Sequence, residues 1–334
     1  MKVSYESVIN SISQLFQNEG CSSYAATCIA TSLTQAEVCG ISSHGLRMID
    51  SHLEKTRERV YNIADQIIIE KQTPSFTLVN SNNLVGMVSA DRCINIAMEK
   101  AKENGVHVVF ANNANTFSAA FTYVNKLAEN GLIGIAFCNS PAQMAPWGGC
   151  EKMLGTNPFA FSIPSCKELP VVFDMATSIV AKSKINEALE KGQEIPKGWS
   201  LSEKGTPTTN PLEAVKGLIL PMAGPKGYGL SVMIDMISGL CSGSNYLNRV
   251  GRFYGSKSCM KVGHTFIAID PIHIYGEDFY HQVDLYIDKI HSSKKVDGKT
   301  ILMPGEDKVI KLYQAKKNGI EINHTIREAL NLYM

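Results

Sequence analysis

Apolar residues recur at helical spacing from the start of the chain, with Val8, Ile12, Leu15 and Phe16 on one face and Gly20 where such a helix stops. A second helix is predicted over residues 22–38, turning Ala25, Ala26, Ile29, Ala30 and Leu33 inward. Residues 40–45 break the pattern, and a third helix follows that carries Arg47, His52 and a solvated charge run over 54–59. From Pro74 the texture changes. Strands are expected at 76–79, 106–111, 132–137, 159–163, 170–173 and 265–269. Between them come helices at 91–104, 119–130 and 230–240, the first two stopped by Gly105 and Gly131. Helices are expected again at 278–292, 307–318 and 325–332, while the polar run 185–211 reads as a long surface excursion. Alternating strands and helices predict an α/β layer around a sheet.

The stretch 145–164 stands apart. It holds three glycines, three prolines and Asn157 between apolar runs at 131–137 and 171–173. Glycine opens backbone angles closed to other residues, and proline fixes φ and removes a donor. Such a segment is a shaped connection between buried strands whose free amides can line a ligand. The alternative is a plain structural turn around a buried Trp147.

Composition narrows the classes. A chain of 334 residues with 44% hydrophobic and 19% charged residues buries a sizeable core. A net charge of +1 gives no electrostatic case for nucleic acid or an anionic membrane. The N-terminus has no apolar h-region, and no apolar run approaches the ~18 residues of a membrane span. Nine scattered cysteines without a Cys-x-x-Cys pair argue against a disulfide framework or a structural zinc site and fit a cytoplasmic location.

The chemistry begins with an absence. No Gly-x-Gly-x-x-Gly follows a predicted strand, so a dinucleotide would bind outside the Rossmann fingerprint. The run 224–229 comes closest to a phosphate loop, since glycines free its amides, Lys226 supplies charge and a helix follows; a plain helix cap is the other reading. His44, between Ser43 and Gly45 at an expected helix start, is the candidate for proton transfer, against a merely structural histidine. Asp174 ends a strand, where α/β proteins place ligands, or else caps the next helix. His264 reads equally as a packed core histidine. His273, His281 and His291 lack ligand spacing, so no metal is expected.

Pro146-Trp147-Gly148-Gly149 followed by Gly155-Thr156-Asn157-Pro158 resembles the signature of the malate/L-lactate dehydrogenase superfamily, which is unrelated to the common lactate and malate dehydrogenases. Ser43-His44-Gly45, Asp174-Met175-Ala176-Thr177, the 224–229 loop and Met303-Pro304-Gly305 match it in order over nearly the whole chain. The resemblance implies a mixed-sheet α/β (α+β) fold that is not a Rossmann fold. A helical part at 1–74 and C-terminal helices at 301–334 would form one domain into which the sheet domain, 75–300, is inserted. It implies a homodimer using NAD or NADP on a small 2-oxo or 2-hydroxy acid of malate or lactate type, with ureidoglycolate oxidation, cyclic-imine reduction or a nucleotide-binding pseudoenzyme as alternatives. Cofactor contacts would come from Ser140, Trp147, Gly148, Thr156, Asn157, Pro158, Asp174, Met175, Ala176, Lys226, Gly227 and Gly305. Ser43 and His44 would lie at the substrate, with His44 as proton donor. Two departures stand out. The family histidine used as acid/base falls on Thr116, and the arginine that holds the substrate carboxylate falls on Met48. Arg47 is one place early, about 100° around a helix, and His52 stands where an aromatic is common.

Overall fold

In the computed structural model, residues 2–321 together with 326 and 327 are described. The chain opens with a short strand β1 (Lys2–Val3) and helix α1 (Tyr5–Asn18), capped by Ser4, whose hydroxyl accepts from the Ser7 amide at 3.0 Å. Helix α2 (Ser23–Val38) is capped in the same way by Ser22 and buries small residues, Ala25, Ala26 and Ala30, that let the two helices approach closely. The expected third helix is delayed. Two single 3₁₀ turns, Ser42–His44 and Leu46–Met48, precede α3 (Ile49–Arg57). Leu46 donates its amide to the Glu37 carboxylate at 3.1 Å, so an acid from α2 fixes the second turn.

Strands β2 (Ile68–Gln72) and β3 (Phe76–Asn80) follow; β2 lacks a clear two-residue alternation and was not expected. Helix α4 (Gly86–Asn104) begins five residues before the expected start at Asp91. Gly86 packs so tightly on the 115–116 backbone that a Cβ would lie 2.1 Å from the Thr116 carbonyl. Asp91 is no cap; it sits mid-helix, ion-paired with Lys126 at 2.6 Å. Then come β4 (Val106–Ala114), α5 (Phe121–Glu129), β5 (Ile133–Cys138), β6 (Phe159–Ile163) and β7 (Val171–Met175).

The polar 185–211 region is not merely a surface excursion. Helix α6 (Lys182–Glu190), β8 (Ser200–Leu201), β9 (Pro207–Thr208), α7 (Pro211–Lys216) and β10 (Leu218–Ile219) fold around a small core that includes Met144, Leu154, Ile185, Ile195 and Ile219. Helix α8 (Pro225–Asp235) starts at the glycine loop itself and runs into a π-helical turn, Met236–Leu240. The chain ends with β11 (Val262–Ile269), α9 (Ile272–Tyr275), α10 (Asp278–His291), α11 (Glu306–Asn318) and β12 (Ile320–Glu321), which pairs antiparallel with β1. The helix expected at 325–332 lies outside the described residues except for Ile326 and Arg327, which are helical.

The main sheet has the order β2-β3-β4-β11-β5-β6-β7 and is antiparallel except at β3–β4. It is a central mixed sheet with flanking helices, as expected. Its inner face, with Val79, Val109, Ala111, Ala136 and Phe266, packs on α4 and α5, and α2 packs on those helices. Because β3, β4, β5 and β7 run one way and β11 and β6 the other, one edge collects the ends of the first four and the starts of the last two. That edge holds Asn115, Ser140, Asn157, Met175 and Gly263. No helix among the described residues is long and apolar enough to cross a membrane.

Candidate active site

At the sheet edge, β4 and β11 slip register between Val262 and His264, a bulge of the kind that re-aims side chains beside a site. The segment after β4 carries Thr116, half-buried, and Ser118, whose φ of 72° is left-handed. Ser118 donates its hydroxyl to the His44 carbonyl. The 116–118 segment and the His44 turn, far apart in sequence, are thereby tied together.

His44 is not at the start of an α-helix. It ends the Ser42–His44 3₁₀ turn, so the expected dipole has no long helix behind it. Burial does that work instead, pushing the imidazole below its ordinary value and keeping it neutral near pH 7. Ser43 Oγ lies 3.0 Å from His44 Nδ1, and Nε2 makes no hydrogen bond to any described residue.

A second group of residues is stitched into one wall. Asn157 accepts the Ser140 amide at 3.0 Å and donates to the Ser231 hydroxyl on α8 at 3.0 Å. Ser231 in turn donates to the Gly155 carbonyl. The Thr156 carbonyl takes the Thr177 amide, the Thr177 carbonyl takes the Met222 amide, and the Met222 carbonyl takes the Gly227 amide. Gly155–Pro158, the Asp174–Thr177 segment and the first turn of α8 are therefore one unit. Trp147 lies with its indole over Gly224 and is 56% exposed, not buried as a plain structural turn requires. Lys226 is exposed at the first turn of α8, and Met175 and Ala176 at the end of β7 are half-buried.

Asp174 joins the two groups. It lies within β7, and its carboxylate accepts the Phe121 amide at 2.9 Å, capping α5 just past the Thr116–Ser118 segment. Burial raises its pKa, opposed by the Phe121 amide and by Lys308. Lys308 also approaches the Asp174 carbonyl at 3.5 Å. Gly305, with φ 72°, fits against the Val172 carbonyl where a Cβ would come within 1.7 Å.

Three expected substrate residues are placed differently. The Arg47 side chain is exposed, whereas Met48 is 5% exposed within the main core. His52 is fully buried; its Nδ1 lies 3.0 Å from the Tyr61 hydroxyl, its ring packs on Phe253, and burial lowers its pKa to about 3. His264 is likewise buried, its ring packed at a 55° tilt on Phe117 with centroids 4.5 Å apart. Ser118, Glu37 and Ser231 organise the site but carried no sequence signal, since a lone serine or a helical glutamate is too common to single out; Thr177 is reached only as the last residue of the Asp174–Thr177 motif. Among the described residues no group of three His, Cys, Asp or Glu side chains is arranged to hold a metal ion.

A profile described as malate/L-lactate dehydrogenase matches residues 3–331. The chain belongs to that family. The malate/(S)-sulfolactate dehydrogenase of Methanothermus fervidus, a family relative, is 36% identical over 332 residues, covering 99% of this chain and 96% of the other. The ureidoglycolate dehydrogenase (NAD(+)) of Escherichia coli O157:H7 is 32% identical over 338 residues, covering 99% and 95%. The solved sulfolactate dehydrogenase of Methanocaldococcus jannaschii superposes with a TM-score of 0.91 at 33% identity, covering 100% of this chain and 96% of that one. Family relatives are named for NAD(+) in one case and NADP(+) in another.

Proposed function

We propose that the chain is an NAD- or NADP-dependent oxidoreductase that interconverts a small 2-oxo acid and its 2-hydroxy acid, of malate or lactate type. The observation that carries this reading is the joining of the His44 turn to the Trp147–Lys226 wall through the 116–121 segment and Asp174. A proton-handling side chain and a phosphate-ready loop border one edge of the sheet. The relatives' names, for malate, sulfolactate and ureidoglycolate, all denote hydroxy acids.

The wall suits a dinucleotide. Gly148 and Gly229 open onto space in which a Cβ would meet nothing within 4 Å, and Trp147 offers an exposed flat ring. Lys226 forms no ion pair with a described residue. Lys226 would hold phosphate at the positive end of α8, with Gly227, its amide given to the Met222 carbonyl, letting the backbone turn tightly there. Trp147, Gly148, Thr156 and Pro158 would line the cofactor with the buried Asn157 bracing them from behind, and Ser140, Asp174, Met175, Ala176 and Gly305 would close its far end. When bound, the nicotinamide supplies or takes up the hydride at the substrate carbon.

The chain's own task is the proton. With Nδ1–H donating to Ser43 Oγ, His44 Nε2 accepts the hydroxyl proton in oxidation and returns it in reduction. A neutral imidazole at pH 7 is the form oxidation requires. Thr116 donates a hydrogen bond to substrate oxygen or to a water, since a hydroxyl is no base near neutral pH. Met48 and His52 support the turn from the core, and the Arg47 guanidinium lies at the surface.

The test combines nicotinamide fluorescence with a panel of 2-oxo and 2-hydroxy acids under both cofactors. Turnover is expected on at least one acid, and His44→Ala should lower kcat by about 10²–10⁴-fold with cofactor affinity intact. Cofactor binding without turnover on any acid would leave a nucleotide-binding protein that has lost its chemistry. An equally fast His44→Ala variant would remove His44 from the mechanism.

We also propose a homodimer. The pairing register lines up Phe76, Val108, Ile267, Ile135, Phe161 and Phe173 across six strands on the outer face of the sheet. All are at least partly exposed, and Leu230, Met233, Met236 and Leu240 form a second exposed apolar stripe along α8 and its π turn. An apolar area of this extent marks an association surface.

A further inference from the structure

The segment between β4 and α5 holds a serine where the backbone favours glycine. Ser118 has a φ of 72°, in the left-handed region, and is 6% exposed. Strain of this kind persists only where the surroundings over-determine it. They do so here. Asn115 donates its side-chain amide to Asn83 Oδ1 and to the Leu84 carbonyl, each at 2.9 Å, and accepts the Met260 amide at 3.1 Å. The Phe117 carbonyl accepts the Tyr123 hydroxyl at 2.6 Å, and the Phe117 ring packs against Tyr123 and His264. Asp174 of β7 takes the Phe121 amide. Ser118 therefore rides on a platform fixed to the sheet on both sides.

The strained conformation sends one bond out of that platform, from Ser118 Oγ to the His44 carbonyl. The turn that receives it has little rigidity of its own. It is a single 3₁₀ turn, with the His44 amide on the Ile41 carbonyl at 2.8 Å and the Gly45 amide on the Ser42 carbonyl at 3.2 Å. Ser43 Oγ, 3.0 Å from His44 Nδ1, belongs to the same turn and moves with it. On its helical side the turn is held by Glu37 of α2, whose carboxylate accepts the Leu46 amide at 3.1 Å. Gly45 lies so close to that carboxylate that a Cβ would come within 2.4 Å of it. On its sheet side the turn is held by the Ser118 hydroxyl. Without that bond its anchor is α2, and its placement against the sheet edge loosens.

We infer that Ser118 is a positioning residue for the proton transfer: its hydroxyl, aimed by a left-handed backbone, fixes where the His44 turn stands against the sheet edge. The reaction it serves rests on the dehydrogenase reading; the tie between the two segments does not. Ser118 acts through His44 and not on the substrate. A base displaced by about 1 Å loses on the order of a hundredfold in rate, so a bond that only holds a turn in place has a kinetic effect out of proportion to its stability.

The test compares Ser118→Gly with Ser118→Ala in the full chain. Glycine removes the hydroxyl and the strain together, whereas alanine removes the hydroxyl and keeps the strain. A serine with a purely structural role makes activity follow the melting temperature, so the relaxed glycine variant would match the wild type. A positioning serine separates the two readouts. Ser118→Gly should melt near the wild type yet lose kcat roughly ten- to hundred-fold, as should Ser118→Ala, with cofactor affinity unmoved in both. In histidine-labelled protein the His44 ring resonance, identified by its loss in His44→Ala, should be sharp in the wild type and shifted or broadened in both variants. A Ser118→Gly enzyme as fast as the wild type would overturn the proposal, and so would slow variants whose His44 resonance is unmoved. The resonance needs no turnover. A wild type inert on every acid, whose His44 resonance still moves in Ser118→Gly, would sink the dehydrogenase reading and keep the tie; an inert wild type with an unmoved resonance would sink both.

Discussion

A single imidazole decides much of the proposed chemistry. His44 is kept neutral by its removal from water, and its pKa lies below the ordinary 6.5. The sign follows directly. A base whose pKa is lowered is available at pH 7 and is lost only as pH falls through that lowered value. Oxidation kcat/KM should therefore be level through pH 7 and decline only below about 6.5. A limb centred above that, or one that survives His44→Ala, would assign the titration to another group. Thr116 is linked to the His44 backbone through Ser118 and cannot share the titration, because its hydroxyl stays protonated across the range.

Among the elements, the start of α11 shows how a remote segment shapes the site. Gly305 precedes that helix with a left-handed φ of 72° and lies against the Val172 carbonyl of β7, two residues before Asp174. An Ala there faces both an unfavourable backbone region and a clash with main chain. Gly305→Ala should lower stability by about 1–3 kcal/mol or more, read as a fall in melting temperature, with cofactor affinity falling too as β7 shifts. An unchanged melt with normal affinity would show that the loop yields cheaply. Helix α8 offers the contrasting case, since Lys226 is exposed and forms no ion pair with a described residue. Lys226→Ala should leave the melt unchanged and weaken cofactor binding by about 1.5–3 kcal/mol, measured by nicotinamide fluorescence. The reverse pattern would make the loop structural.

For the whole molecule, the uncovered sheet face carries the argument. Phe161, fifth of the six in its apolar row, is 37% exposed, so Phe161→Asp should be tolerated within one chain and disfavoured between two. Light scattering at micromolar concentration should give a dimer mass for the wild type and a monomer mass for the variant. A wild-type monomer with full activity would contradict the proposed assembly. The β1–β12 pair and the packing of α11 on α1 and α2 bring the chain ends together, and with them the Gly305 loop reaches β7.

The sequence by itself determined the elements whose cause is local. Apolar spacing and serine caps made α1 and α2, short apolar runs made β3 to β6, and Gly105 and Gly131 ended helices where a positive φ was needed. It also named the residues of the proposed site, because short motifs keep their order along the chain. Tertiary structure decided what each would do. The start of α4 lies at Gly86 because only a residue without a Cβ fits against Thr116, a contact between segments thirty residues apart. Trp147 faces solvent because Gly224, distant in sequence, forms the floor beneath it. The neutrality of His44, expected from a helix dipole, comes instead from burial, and the apolar row across six strands exists only once register is set. Local pattern reports what one segment prefers; burial, register and charge proximity are properties of segments meeting, and no single stretch of chain encodes them.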